Sequence, residues 1–145
     1  MKTKVTALLL VFLINLQVNT CRAQGAEGNT NQTQKCEDER TYPLISKADL
    51  EKQVNAKSAF IVDVNSVESF SEAHVPTAIH YSDSDTKTDK QYTHVLPKDK
   101  SQLIVAYCGG PSCNAWLKAA KKACQLGYTH VVHFKDGISG WKKKS

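Results

Sequence analysis

The 145-residue sequence has one extended apolar run, Val5 to Leu16, and no second one. A bilayer span needs about 20 such residues, so no membrane crossing is expected. Internal repeats are missing too, which leaves a single domain in place of a repeat array. Charge bias almost disappears once the first residues are set aside. Removing Lys2, Lys4 and Arg22 from 19 basic residues leaves 16 against 14 acidic ones, a net charge of +2. Such a balance offers no footprint for nucleic acid, and the Lys142-Lys143-Lys144 tail reads as a solvated end. Metal-ligand spacing is also absent. His74, His80 and His94 form no ligand pattern, and His130 and His133 lie three apart on an expected strand, hence on opposite faces. No metal and no cofactor are expected.

The apolar run follows Met1-Lys2-Thr3-Lys4 and leads into Cys21-Arg22-Ala23-Gln24. A basic start, an apolar middle and small residues before Gln24 are the parts of a secretory leader, with cleavage expected after Ala23. The expected location is therefore periplasmic or secreted. A lipid anchor on Cys21 is the less favoured alternative, because Val18-Asn19-Thr20 makes a poor lipobox. Residues 24–41 are polar and aperiodic, so they read as a flexible tether carrying an exposed, mobile Cys36. Residues 42–145 then form one domain, large enough for a core without obligatory disulfides.

Within that domain, Leu103-Ile104-Val105-Ala106-Tyr107 is a continuous apolar run broken by Gly109-Gly110-Pro111, the pattern of a buried parallel strand. Cys108 falls at its carboxyl end. From Ala115 onward Trp116, Ala119, Ala120, Ala123, Cys124 and Leu126 recur at helical spacing, and Gly127 follows as a C-cap residue. Residues 109 to 113 must therefore turn tightly between strand and helix. Two glycines permit that turn and let backbone N–H groups point inward around the Cys108 sulfur. An ordinary thiol has a pKa of about 8.5. N–H dipoles and a helix N-terminus favour the thiolate, so Cys108 is the candidate nucleophile even though the loop holds no Arg, Lys or His.

Elsewhere Tyr42 to Ile45 reads as a short strand, and Ser46-Lys47-Ala48-Asp49 as a helix cap ahead of Leu50 and Val54. Ala59 to Val64 is a buried strand, and Asn65 or Ser66 caps a helix with Val67, Phe70 and Ala73. Ala78 to His80 is a brief strand, and residues 82 to 93 are expected to be polar loop. His130 to Phe134 is the last strand, closed by Gly137 to Trp141. Alternating strands and helices imply an α/β fold with a central, mostly parallel sheet and helices on both faces, whose ligands bind at the carboxyl ends of the strands. Asp63, at one such end, reads as a strand-end acceptor for nearby backbone donors, with orientation of the site as its alternative role.

Four segments together resemble a single-domain rhodanese, a sulfurtransferase-like module: Ile61-Val62-Asp63-Val64, His74 to His80, the Cys108 loop with its helix through Tyr128, and Gly137 to Trp141. The resemblance implies that Cys108 accepts a sulfane sulfur as a persulfide and passes it to a thiol or cyanide, with Gly109, Gly110, Pro111, Ser112 and Cys113 forming the substrate-binding loop. It also makes His74 and His80 scaffold residues. The implied partners are a small sulfur donor, such as thiosulfate or polysulfide, and a thiol acceptor that can be a protein. Related phosphatases have a loop one residue longer that ends in arginine; the corresponding residue here is Asn114, which disfavours phosphoryl chemistry. Three positions depart from the family pattern. The loop lacks the usual basic residue, Asn65 stands where Arg is frequent, and Thr77 stands where Gly is typical, the last two read as local repacking.

A cysteine at each end of the loop adds a possibility. Cys113 can attack the Cys108 persulfide or close a disulfide with Cys108, or it can be a small residue under the helix start. Cys124 falls on the apolar helix face and is expected to pack in the core. Two other functional readings stand beside sulfur transfer: a non-catalytic binding module, and a thiol-disulfide redox protein using Cys108 and Cys113.

Overall fold

The computed structural model describes residues 35–81 and 86–143; the expected leader, Cys21 and residues 24–34 of the expected tether lie outside them. After a 3-10 turn at Glu39–Thr41 come α1 (Lys47–Ala56), β1 (Ala59–Asp63), α2 (Val67–Glu72), β2 (Ile79–His80) and α3 (Thr86–Val95). Then follow β3 (Leu103–Tyr107), α4 (Trp116–Gln125), β4 (Val131–His133) and α5 (Gly137–Lys142). The strands form one parallel sheet in the order β2-β1-β3-β4. Its register sets Asp63 between His80 and Tyr107, and Ala106 beside His133.

Side chains alternate across a strand, so each apolar strand feeds two cores. Val62, Ile104 and Ala106 pack with Tyr92 of α3 and with Trp116, Ala119, Ala120 and Ala123 of α4. Ile61, Val105 and Tyr107 pack with Leu50 of α1, Phe134 and Ile138 of α5. Both sheet faces are therefore covered, as the unbroken apolar strands require. Local signals end the helices where the sequence places them. Ser46 Oγ accepts from Asp49 N at 3.1 Å and Ser66 Oγ from Ser69 N at 3.2 Å, each such cap contributing about 1 kcal/mol. Gly127, at φ 92°, follows the last turn of α4.

Three expectations are corrected. Tyr42 to Ile45 forms no strand but an isolated bridge between Leu44 and His133, flanked by His133 N to Pro43 O at 2.8 Å and Ile45 N to His133 O at 3.0 Å. Leu44 is 64% exposed, so no second face holds it there. The segment expected as polar loop contains α3 instead. Tyr92 and Leu96, one turn apart, are both buried, and the Tyr92 hydroxyl donates to Ala119 O at 3.2 Å. Those two anchors are too few to make a periodic pattern among so many polar residues. Cys36 is neither exposed nor mobile: it is fully buried and disulfide-bonded to Cys124. Thr77 keeps a left-handed backbone at φ 68°, so this position retains the glycine-like conformation and a β-branched residue bears its strain.

His133 gives the fold a pH dependence. Its ring stacks on Trp116 with centroids 3.6 Å apart, and burial, followed by the Lys135 charge, lowers its pKa from 6.5 to about 4. The unfolded chain therefore binds a proton first as pH falls. Stability from this group is complete above the unfolded value and is lost as pH drops from 6.5 towards 4, by about 3 kcal/mol in all. Urea unfolding at pH 7 and pH 4.5 should show the loss in wild type and a much smaller one in His133→Phe, which keeps a stacking ring. Equal losses in both proteins would assign the acid sensitivity elsewhere.

Candidate active site

Strand order reverses beside β1: β2 lies on one side of it and β3 on the other. A parallel α/β sheet opens a crevice at such a point, outside the carboxyl ends of its strands. Cys108 directly follows β3 there, and Val64 N donates to Tyr107 O at 2.9 Å, holding the ends of β1 and β3 together. Cys108 is only 1% exposed. Gly109, Gly110 and Cys113 are half-buried, and Pro111 and Ser112 are exposed. The loop turns back on itself through Cys113 N donating to Gly110 O at 3.0 Å. That turn brings the two cysteines together, and the structure joins them as a disulfide with Cα atoms 6.2 Å apart.

The first turn of α5 clamps the loop from below. Ile138 N donates to Cys108 O at 2.9 Å and Ser139 N to Gly109 O at 3.1 Å. So close an approach leaves no room at Gly137, whose φ is 57°. A Cβ there would collide with Cys108 O and lie 2.6 Å from Gly110 N. Likewise a Cβ on Gly110 would lie 2.7 Å from Ser139 Oγ. Gly137 and Ser139 are thus site residues that sequence reasoning missed. The signal was there as a glycine after Asp136, but its reason is a contact with a loop far away in sequence.

Hydrogen-bonding capacity is left over at the loop. The N–H groups of Gly109, Gly110, Ser112 and Asn114 have no protein acceptor among the described residues, the Cys108 sulfur included. Ala115, the N-cap of α4, gives that helix no side-chain cap. These donors and the helix dipole are available to stabilise negative charge brought into the loop. The expectation that they already surround the sulfur is not met in this disulfide state.

Asp63 is fully buried at the end of β1 and serves the scaffold. Its Oδ1 accepts from Asn65 N at 2.8 Å and Asn65 Nδ2 at 2.7 Å, and its Oδ2 accepts from the Tyr107 hydroxyl at 2.5 Å. Tyr107 Oη in turn accepts from Val75 N at 2.9 Å. Burial, then the Asp63 hydrogen bond, pushes the Tyr107 pKa far above its ordinary value, so it remains a neutral donor. None of these bonds goes to the cysteines. The network reaches the loop through Asn65, whose Oδ1 lies 3.5 Å from where a Gly109 Cβ would sit. Asn65 is held from the other side as well, by His80 Nε2 against its carbonyl at 2.8 Å. His74 Nδ1 meets Phe70 O at 2.9 Å and its ring stacks on Phe70. Among the described residues no group of three or more His, Cys, Asp and Glu side chains could hold a metal ion. No helix among them is long and apolar enough to cross a membrane.

Comparison with known proteins places this geometry in a family. Residues 46–144 match the sequence model of the rhodanese-like domain. The BH2092 protein of Bacillus halodurans is similar in structure, with 30% identity, 79% of this chain and 81% of that one covered, and a TM-score of 0.57. The human single-domain sulfurtransferase TSTD1 is 20% identical over 71% of this chain and 98% of its own, at a TM-score of 0.58. A rhodanese-related protein of Thermoplasma volcanium is 22% identical over 69% and 90%, at 0.54. The last two identities speak for the fold alone. No functionally curated protein matches the chain. A doubly covered parallel sheet, the loop at its switch point and the match over 46–144 agree: the chain belongs to the rhodanese-like domain family.

Proposed function

We propose that the protein is a sulfurtransferase or sulfur carrier in which Cys108 takes up a sulfane sulfur as a persulfide and passes it to a thiol acceptor. The observation that carries this reading is the set of N–H groups of Gly109, Gly110, Ser112 and Asn114, which have no protein acceptor among the described residues, beside a cysteine at the strand end. In the reduced protein a Cys108 thiolate attacks the outer sulfur of the donor, and these donors stabilise the charge of the resulting persulfide, as an oxyanion hole does in acyl transfer. Gly109, Gly110, Pro111 and Ser112 bring no cation to the donor. That composition favours a singly charged donor over a doubly charged one such as thiosulfate.

Intact-mass measurement tests the proposal. Reduced protein incubated with polysulfide, or with benzenethiosulfonate, should gain about 32 Da on a Cys113→Ser background, one sulfur on the nucleophile. Cys108→Ser should gain none. Equal labelling of the two would place the sulfur elsewhere, and no labelling of Cys113→Ser would leave the domain a binding module.

We propose further that the protein is exported to the periplasm or beyond, with Ala23 as the last leader residue. The buried Cys36–Cys124 disulfide supports an oxidising compartment. Immunoblotting of cell fractions checks this, and a full-length, cytoplasmic protein would overturn it.

A further inference from the structure

Cys113 sits at the far end of the loop, half-buried, and the structure bonds it to Cys108 between an intact β3 and an intact α4. The Cα separation of 6.2 Å lies within the range in which two cysteines can be bridged by side-chain movement. Cys108 is 1% exposed in this disulfide state, with the Cys113 sulfur bonded directly to its own. The sulfur nearest to a persulfide on Cys108 is therefore one the chain itself supplies.

We infer that Cys113 is the first acceptor in the reaction: it attacks the Cys108 persulfide, releases its outer sulfur as hydrosulfide, and leaves the Cys108–Cys113 disulfide seen in the structure. The inference rests on the persulfide reading of Cys108 and specifies what becomes of the sulfur. The Cys113 thiolate attacks Cys108 Sγ in line with the Sγ–S bond. A bond forms between the two cysteine sulfurs, the persulfide bond breaks, and the outer sulfur departs with the electron pair, taking one proton from water. The transferred sulfur is reduced by two electrons, and the two cysteines are oxidised by two. The donors on Gly109, Gly110, Ser112 and Asn114 ease the departure of the anion. To turn over, the disulfide needs an external dithiol, which becomes a disulfide as both loop thiols are restored. Cys113 is the more exposed of the pair, so its sulfur is where that dithiol attacks first.

Function follows from that cycle. The site would then act as a sulfane-sulfur reductase, drawing electrons from a dithiol of the thioredoxin-like kind, and its disulfide is a catalytic state rather than a structural staple. The absence of a basic residue from the loop fits a chemistry that ends in expulsion of an anion.

A single-turnover experiment decides the matter. Fully reduced, desalted protein is mixed anaerobically with one equivalent of benzenethiosulfonate, which leaves as a sulfinate, so that any hydrosulfide derives from the persulfide. Wild type should release one equivalent of hydrosulfide without added thiol, lose its transient mass gain, and yield a peptide crosslinked between Cys108 and Cys113. Cys113→Ser and Cys113→Ala should keep the added sulfur on Cys108 and release hydrosulfide at least ~100-fold more slowly, the advantage of a held nucleophile having gone. If wild type retains the added sulfur as the variants do, the inference fails while the persulfide reading stands. If neither wild type nor the variants gain sulfur, the persulfide reading fails and takes the inference with it.

Discussion

Replacing Gly137 by alanine should destabilise the domain by about 3 kcal/mol and slow sulfur uptake at Cys108 by at least ~10-fold. Two independent costs meet at this position. The backbone sits at φ 57°, where a side chain adds about 1 kcal/mol or more of strain. In addition, the new Cβ would overlap the backbone of the active loop, including Cys108 O and, at 2.6 Å, Gly110 N. Backbone cannot swing aside as a flexible side chain does. Relief requires α5 to withdraw, and with it the Ile138 and Ser139 N–H groups that hold the loop. A drop in Tm on the order of 15 °C is expected for a domain of this size. Gly127→Ala is the matched control, since φ is 92° there but nothing lies within 4 Å of a new Cβ. It should cost about 1 kcal/mol from strain and leave sulfur uptake unchanged. If the two variants behave alike, the clamp has no role in shaping the site.

That clamp also marks where sequence reasoning stops. Cys108 was legible because the determinants are adjacent: an apolar run, a glycine pair, and a helix whose Trp116, Ala119, Ala120 and Ala123 repeat at helical spacing. Period and punctuation are local properties, so the strand, the loop and α4 follow from them. Gly137, Ser139 and Asn65 reach the loop only by tertiary approach, and no local pattern encodes which carbonyl a distant N–H will find. Asp63 lies between these cases. Its place as a strand-end acceptor was readable, yet its link to Tyr107 depends on the register that sets the two residues side by side. The helix α3 is illegible in the sequence for an energetic reason. Its stability comes from Tyr92 packing against Tyr81, with ring centroids 4.5 Å apart, and not from an apolar stripe of its own.

Cys36 is likewise held by tertiary contacts that its local sequence does not encode, and the consequence is large. Its polar neighbours suggested a free tether, but the Tyr42 hydroxyl donates to Cys36 O at 2.6 Å and Glu37 pairs with Lys121 at 2.6 Å. These contacts bring residues 35–37 onto α4, beside Cys124. The resulting disulfide spans a sequence separation of 88, so it removes much of the conformational freedom of the unfolded chain. On chain entropy, a loop of that length contributes about 4.5 kcal/mol. The double variant Cys36→Ser, Cys124→Ser should therefore lose about 4 kcal/mol and on the order of 20 °C in Tm. The Glu37–Lys121 pair cannot make up the difference, because a surface ion pair contributes under about 1 kcal/mol. Trypsin should then cut at Lys35 and Arg40 faster than it does in wild type. Sulfur uptake by the folded variant should stay at the wild-type level, since the bond acts mainly on the unfolded chain and its anchor lies on the far end of α4 from the loop. A variant that kept wild-type Tm and protease resistance would mean that the core alone holds the segment. A variant that kept its Tm but lost sulfur uptake would tie Cys36 and Cys124 to the chemistry instead.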